Sequence, residues 1–157
     1  MQNTVAIICD CDDTLAPDTT VFLLDRNGVE QKPFWSKATQ MVEDGWDPPL
    51  AYMSLILDLM KSGKIKQNTN QKLRELGSEI APYDGVPEFI PELKTMIKEN
   101  KDFAEADVNL ECYIISSGIE DLIKGTALSE HFLDIFAGRF AEDPNDGLIS
   151  SVKSSVT

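Results

Sequence analysis

Three carboxylates stand side by side near the start of the sequence, in the run Asp10-Cys11-Asp12-Asp13-Thr14. Carboxylates this close repel one another unless a cation neutralises them. Mg²⁺ suits such a place, because it prefers oxygen ligands and usually keeps waters and substrate phosphate in its shell. One carboxylate can then attack phosphorus as a nucleophile, while another transfers a proton to the leaving group. These residue types therefore indicate phosphoryl chemistry.

Two apolar runs are predicted to position the polar residues that follow them. The acids come directly after residues 5–9, a continuous β-branched run typical of a central parallel strand covered on both faces. A second such run, residues 112–115, ends in Ser116-Ser117-Gly118 and passes into a helical apolar spacing. Ligands of open parallel sheets bind beyond the carboxyl ends of the strands, and a hydroxyl beside free N–H groups at a helix start can bind phosphate. We therefore expect the acids and the serines to face one crevice.

Each of these motifs, taken alone, has a simpler interpretation. A short Asp-rich run often forms a turn or caps a helix, and Ser-Ser-Gly is an ordinary loop sequence. A calcium-binding EF-hand loop would need Gly at its sixth position and an acid at its twelfth, where this sequence has Leu15 and Val21. Trp35 is expected to pack in the core or cap rather than stack on a substrate. The conjunction of the two motifs is what favours a functional site.

The spacing of the strands predicts an insertion. Roughly 100 residues separate the first two strands, far more than the dozen or so that a simple crossover needs. Apolar residues recur at helical spacing through most of this stretch, and a third apolar run follows at residues 135–137. We predict an α/β fold in which residues 1–18 and 82–157 form a Rossmann-like parallel sheet with its helices, and residues 19–81 form an inserted α-helical cap.

Two motifs resemble those of a known family. Residues 5–15 are similar to the first motif of the haloacid dehalogenase superfamily, a hydrophobic strand followed by Asp-x-Asp-x-Thr. Residues 113–118 resemble its second motif, a strand that ends in Ser or Thr, and residues 83–89 and 135–137 resemble connecting segments of its phosphatase members. The resemblance covers most of the chain and implies a hydrolase of the phosphoserine phosphatase-like type, with a cap that selects the substrate.

The resemblance assigns a role to each matching residue. Asp10 would attack the phosphoryl group and form an aspartyl-phosphate, and Asp12 would protonate the leaving oxygen and later activate water. The Asp10 carboxylate and the Asp12 backbone carbonyl would hold Mg²⁺. Ser116 would hydrogen-bond the phosphoryl oxygens, with the Ser117 and Gly118 amides nearby. If the register is shifted by one residue, Ser117 takes the hydroxyl role.

Three further positions in the first motif bear on the chemistry. Family members that cleave carbon–halogen bonds typically lack a carboxylate at the position of Asp12, so phosphate-ester hydrolysis or phosphoryl transfer is preferred. Thr14 would brace the loop. Asp13 stands where Gly is common in the family.

The sequence also departs from the family pattern. The third family motif is a Lys and the fourth is an acidic pair on a later strand, but Lys153 lacks the helix that normally follows the motif Lys. No Gly-Asp-x-x-x-Asp follows Phe140. We therefore expect an incomplete core and keep two hypotheses: a Mg²⁺-dependent phosphatase of a small phosphorylated metabolite, or a truncated or non-catalytic relative that binds phosphate or a protein partner. A mutase of the same fold is a third reading.

Composition excludes several classes of partner. The chain has 27 acidic and 14 basic residues, a net charge of −13 and no Lys/Arg cluster, so no nucleic acid is expected. The start has no basic region before its apolar run, and residues 50–60 are about half the roughly 20 needed to cross a bilayer, so we expect no signal peptide and no membrane. Three cysteines without zinc spacing favour a reduced, cytoplasmic setting. The oligomeric state and the physiological ester are left open.

Overall fold

A computed structural model describes residues 3–156 and contains one four-stranded sheet in the order β1-β2-β3-β4. The strands are β1 Asn3–Cys9, β2 Val108–Ile119, β3 Asp134–Glu142 and β4 Ile149–Ser154. The helices are α1 Thr19–Arg26, α2 Gln31–Glu43, α3 Pro48–Lys61, α4 Asn70–Gly77, α5 Val86–Glu99, α6 Lys101–Glu105 and α7 Glu120–Gly125, and a 3₁₀ turn covers Ala127–His131. None of the helices in this part of the chain is long and apolar enough to span a bilayer.

The predicted parallel α/β sheet is confirmed for its first three strands. β2 pairs in parallel with both β1 and β3, and Cys9 lies opposite Ile114 in the first pair. The fourth strand was not predicted, and it runs antiparallel to β3. The two are joined by a turn in which Gly147 takes a positive φ of 73° and its N–H donates to the Asp143 carbonyl at 2.8 Å.

The expectation that the first strand is covered on both faces is wrong for the described residues. β1 lies at the edge of the sheet, and no other strand between residues 3 and 156 pairs with its outer edge. Val5 and Ile8 are 48% and 61% exposed. Ile7 and Cys9, in contrast, pack against a buried cluster that includes Cys112 and Ile114 of β2.

Four helices, α1 to α4, lie within the stretch predicted as an insertion. Asp47 caps α3 by accepting the Leu50 N–H at 3.1 Å, and Thr69 caps α4 by accepting the Lys72 N–H at the same distance. α3 is apolar on most of its surface, and eight of its residues are buried. It is therefore a central helix of this part of the molecule.

The inserted helices share a hydrophobic cluster with the sheet. Leu73 and Leu76 of α4 belong to the same buried cluster as Ile119 and Leu122. α4 also approaches α7 closely, because a Cβ on Gly77 would lie 2.1 Å from the Leu122 carbonyl oxygen. The division of the chain into a core and a cap at residues 19–81 remains a prediction, but these contacts join the two parts tightly.

Candidate active site

The acidic run forms a tight turn at the carboxyl end of β1. The Cys11 carbonyl accepts the N–H groups of Thr14, Leu15 and Ala16 at 3.1, 2.9 and 3.2 Å. Asp13 takes a left-handed conformation with φ of 57°. Asp tolerates this region better than most residues, and Gly adopts it without strain.

Asp10 lies at the outer side of this turn and is exposed to solvent. One of its carboxylate oxygens, Oδ2, accepts a hydrogen bond from the Thr14 hydroxyl at 2.9 Å. Thr14 thus braces the loop, as the resemblance implied. The remaining oxygen of Asp10 has no hydrogen-bond donor among the described residues and is accessible to a ligand.

Asp12 turns inward and connects the two motifs. Its Oδ1 accepts the backbone N–H of Thr19, the first residue of α1, at 2.7 Å. Its Oδ2 accepts the hydroxyl of Ser116 at 3.2 Å. The acid is therefore held by two donors from two different segments, so its orientation is fixed by the start of α1 and by β2.

The three residues of the second motif occupy different environments. Ser116 is buried, and its oxygen also accepts the Gly118 N–H at 2.9 Å. The Ser117 side chain is exposed, while its carbonyl accepts the hydroxyl of Tyr52 from α3. A Cβ on Gly118 would lie only 2.4 Å from Oδ2 of Asp12, so glycine is what allows this close approach.

A cavity of about 370 Å³ lies between the acidic turn and the first three helices. Asp12, Ser117 and Gly118 line it, whereas Asp10 and Ser116, which were expected to face the same crevice, are not among the residues that line it. The rest of the wall is contributed by helices α1 to α3 and the residues that precede them: Asp18, Thr20, Trp35, Ala38, Thr39, Val42, Pro48, Pro49 and Tyr52.

Two aromatic residues of the cavity wall pack on one another. The ring centroids of Trp35 and Tyr52 are 5.9 Å apart with an angle of 57° between the planes, and Phe34 packs edge-on against Trp35. Trp35 thus packs within the helices, as expected, and also faces the cavity. Tyr52 could not be recognised as a cavity residue from the sequence, because α3 is apolar nearly all round and its periodicity does not single out one face.

The cavity is negatively charged. Burial raises the pKa of the Asp18 carboxyl, an effect that the Val21 N–H partly offsets and that Asp12 increases. Burial, with Asp12 and Asp18 nearby, also raises the pKa of the Tyr52 hydroxyl. Behind the turn, burial followed by the charges of Asp12 and Asp10 raises the pKa of the Cys11 thiol to about 12. No Lys, Arg or His is among the described residues that line the cavity.

The residues present fit one side of a Mg²⁺ shell. Mg²⁺ sites commonly use one or two carboxylates together with water and substrate phosphate, and the accessible Asp10 carboxylate and the Asp12 carbonyl are such oxygen donors. Among residues 3–156, no three His, Cys, Asp or Glu side chains are grouped so that they could hold a metal ion. Lys153 lies on β4 and is not part of the cavity wall.

Comparison with known proteins shows the fold. No protein-family model matches the sequence. An uncharacterized protein of Borreliella burgdorferi is 24% identical over 149 residues, which cover 90% of this chain and 51% of that protein. A structure of a phospho-aspartyl intermediate analogue of phosphoserine phosphatase is similar with a TM-score of 0.60 and 20% identity, over 96% of this chain and 63% of the other. A HAD family hydrolase of Salmonella enterica serovar Typhi has a TM-score of 0.60 and 15% identity, over 95% and 44%.

The chain therefore shares its fold with these structures of a phosphoserine phosphatase and a HAD family hydrolase. It spans about half the length of the curated relative and less than two thirds of these two solved structures.

Proposed function

We propose that this chain carries the nucleophile, the acid–base residue and the leaving-group cavity of a Mg²⁺-dependent phosphatase that acts on small phosphorylated metabolites. The position of Asp12 is the observation that carries the proposal. It lies in the cavity wall and is held by Thr19 and Ser116, whereas Asp10, two residues earlier, is exposed and held by Thr14 alone. The two carboxylates therefore have different environments, which suits different roles.

In the first step, an oxygen of Asp10 attacks phosphorus, and the bond between phosphorus and the ester oxygen breaks. Asp12 transfers its proton to the departing oxygen, which leaves as an alcohol into the cavity. The N–H groups of Ser117 and Gly118 and the hydroxyl of Ser116 or Ser117 would bind phosphoryl oxygens. For this, the Gly118 N–H would exchange its bond to the Ser116 oxygen, and the Ser116 hydroxyl its bond to Asp12, for bonds to the phosphoryl group. The product of this step is an aspartyl-phosphate on Asp10.

In the second step, water attacks phosphorus of the aspartyl-phosphate while Asp12, now ionised, accepts a proton from it. The bond between phosphorus and the Asp10 oxygen breaks, inorganic phosphate leaves, and both acids return to their starting states. The Asp10 carboxylate and the Asp12 carbonyl would hold Mg²⁺, which would supply positive charge to neutralise the charge that builds up on the phosphoryl oxygens.

The test is hydrolysis of p-nitrophenyl phosphate and of an alkyl phosphate by the complete gene product, whose intact mass is measured first, with and without Mg²⁺. Asp10→Asn should abolish hydrolysis of both esters. Asp12→Asn should slow the alkyl ester by about 10²- to 10⁴-fold and the aryl ester less, because p-nitrophenolate leaves without a proton. Asp13→Asn is the matched control, since Asn also tolerates a positive φ and Asp13 has no assigned role. Wild-type turnover by Asp10→Asn would contradict the proposal.

A second candidate function is binding of phosphate or a protein partner without turnover. It is favoured by the lack of any Lys, Arg or His in the described cavity wall, because a phosphoryl group at Asp10 needs positive charge around it. Under this hypothesis the complete gene product, with Mg²⁺ present, would not hydrolyse either ester. Because the described cysteines are all unpaired, we place the protein in the cytoplasm under both hypotheses.

A further inference from the structure

We propose that the cavity selects phosphate esters whose alcohol part carries an ammonium group and no carboxylate, with a quaternary ammonium such as that of choline as the best fit. The proposal rests on the phosphatase function proposed above and names its substrate class. Two features of the cavity wall support it, the pair of aromatic rings and the sign of the charge.

The first feature is the corner formed by Trp35 and Tyr52. The two rings are inclined at 57° with centroids 5.9 Å apart, and both line the cavity. A cation over the face of Trp or Tyr is attracted by the negative face of the ring, and Trp binds cations best. In this proposal one trimethylammonium group, which is too weakly hydrated to lose much on leaving water, contacts both of these rings.

The second feature is the charge of the wall. Asp12 and Asp18 both line the cavity, and no Lys, Arg or His among the described residues faces them. An ammonium group on the alcohol part would be attracted by Asp18, whereas a carboxylate there would meet like charge without a counter-ion. The charge of the cavity therefore disfavours the binding of an amino-acid phosphate such as O-phosphoserine and favours the binding of an amino-alcohol phosphate.

The size and the remaining wall are consistent with such a group. The cavity volume of about 370 Å³ lies at the lower end of small-molecule sites, which are roughly 300 to 1,000 Å³. The wall also contains the apolar side chains of Val42, Pro48 and Pro49. These side chains can contact the methyl groups of a quaternary ammonium without requiring hydrogen bonds from it.

The experiment compares kcat/KM of the complete gene product for four esters. Phosphocholine is the cationic probe, and 3,3-dimethylbutyl phosphate is its uncharged isostere, in which carbon replaces nitrogen. O-phosphoserine tests the carboxylate, and p-nitrophenyl phosphate reports phosphatase activity as such. We expect phosphocholine to exceed its isostere by about 2- to 30-fold, the range of a cation–π contact, and to exceed O-phosphoserine by more.

Substitutions at two positions test which residues cause the preference for phosphocholine. Trp35→Leu should lower the ratio of phosphocholine to isostere towards one, and Trp35→Phe should restore part of it, because Phe binds cations less strongly than Trp. Asp18→Asn should lower the same ratio while keeping the cap of α1, since Asn accepts the Val21 N–H that Asp18 now accepts at 2.8 Å. Asp58→Asn, an exposed acid of α3 outside this cavity, is the control for net charge.

The outcomes separate the two proposals. A phosphocholine preference that falls in Trp35→Leu and Asp18→Asn but persists in Asp58→Asn supports the substrate class. Hydrolysis of p-nitrophenyl phosphate together with equal or faster turnover of O-phosphoserine than of phosphocholine would overturn the substrate class and leave the phosphatase function standing. Failure to hydrolyse any of the four esters would overturn both.

Discussion

Replacement of Gly118 by Ala tests whether catalysis depends on the inward position of Asp12. The new Cβ would lie 2.4 Å from Oδ2 of Asp12, so this oxygen must retreat by about 1 Å to reach ordinary contact at 3.4 Å. The movement cannot be free, because the carboxylate is short and is held by Thr19 and Ser116. A misplacement of about 1 Å costs roughly 100-fold in rate, so kcat/KM for an alkyl phosphate should fall by about that factor. Loss of one hydrogen bond to this charged group should cost about 1.5–3 kcal/mol of unfolding free energy.

The assays are steady-state hydrolysis of an alkyl phosphate and urea unfolding, both on the complete gene product. In an Asp12→Asn background, Gly118→Ala should lower the rate further by less than about threefold, since the effects of substituting residues that act as a unit do not add. In an Asp12→Ala background, its cost in stability should fall, because the clashing oxygen is gone. A wild-type rate in Gly118→Ala, or a full 100-fold loss on top of Asp12→Asn, would refute the reasoning.

Two further predictions concern the packing around the site. Gly77→Ala should lower the unfolding free energy by about 1–3 kcal/mol in urea denaturation, because the new Cβ would lie 2.1 Å from the Leu122 carbonyl oxygen and force α4 away from α7. Unchanged stability would show that the two helices are not in such close contact. In the native protein at pH 7.5, all three cysteine thiols should react slowly with an alkylating reagent, because burial raises the pKa of each thiol. Cys9 should react first, because Cys11 and Cys112 are buried. Peptide mass mapping after timed alkylation measures the order, and early labelling of Cys112 would contradict it.

The pairing of the two motifs could be predicted from sequence because it depends on local signals. Residues 5–9 and 112–115 are β-branched apolar runs, and each is followed at once by polar residues, so a parallel pairing brings those residues to one end of the sheet. The extension of β2 through Ile119 could not be predicted in this way. Ser-Ser-Gly is typical of a turn, but here Ile119 pairs with Gly138 of β3, and the glycine serves a close approach rather than a turn.

The cavity wall and the hairpin depend on tertiary contacts that leave little trace in the sequence. Trp35 and Tyr52 belong to different helices and meet only because α2 packs against α3. β4 is rich in serine, and its two apolar residues, Ile149 and Val152, do not alternate with polar ones as in a half-buried strand. It nevertheless pairs with β3, because the turn at residues 143–147 reverses the chain. The exposed edge of β1 was also missed, since an apolar run of this kind is usually covered on both faces.

The residues proposed to determine the rate of hydrolysis differ from those proposed to determine the preference among esters. The groups proposed to contact the reacting phosphoryl group, Asp10, Asp12 and the residues of the second motif, are positioned by the acidic turn and the end of β2, so their disturbance should lower the rate for every ester. The groups proposed to contact the alcohol, Trp35 and Asp18, are set by the helices, and they should alter the ratio between esters. Tyr52 joins the two sets, because its ring lines the cavity while its hydroxyl binds the Ser117 carbonyl. A substrate that fills the cavity would thus influence the backbone that is proposed to bind its phosphate, which is a physical route by which the alcohol part would affect kcat as well as KM.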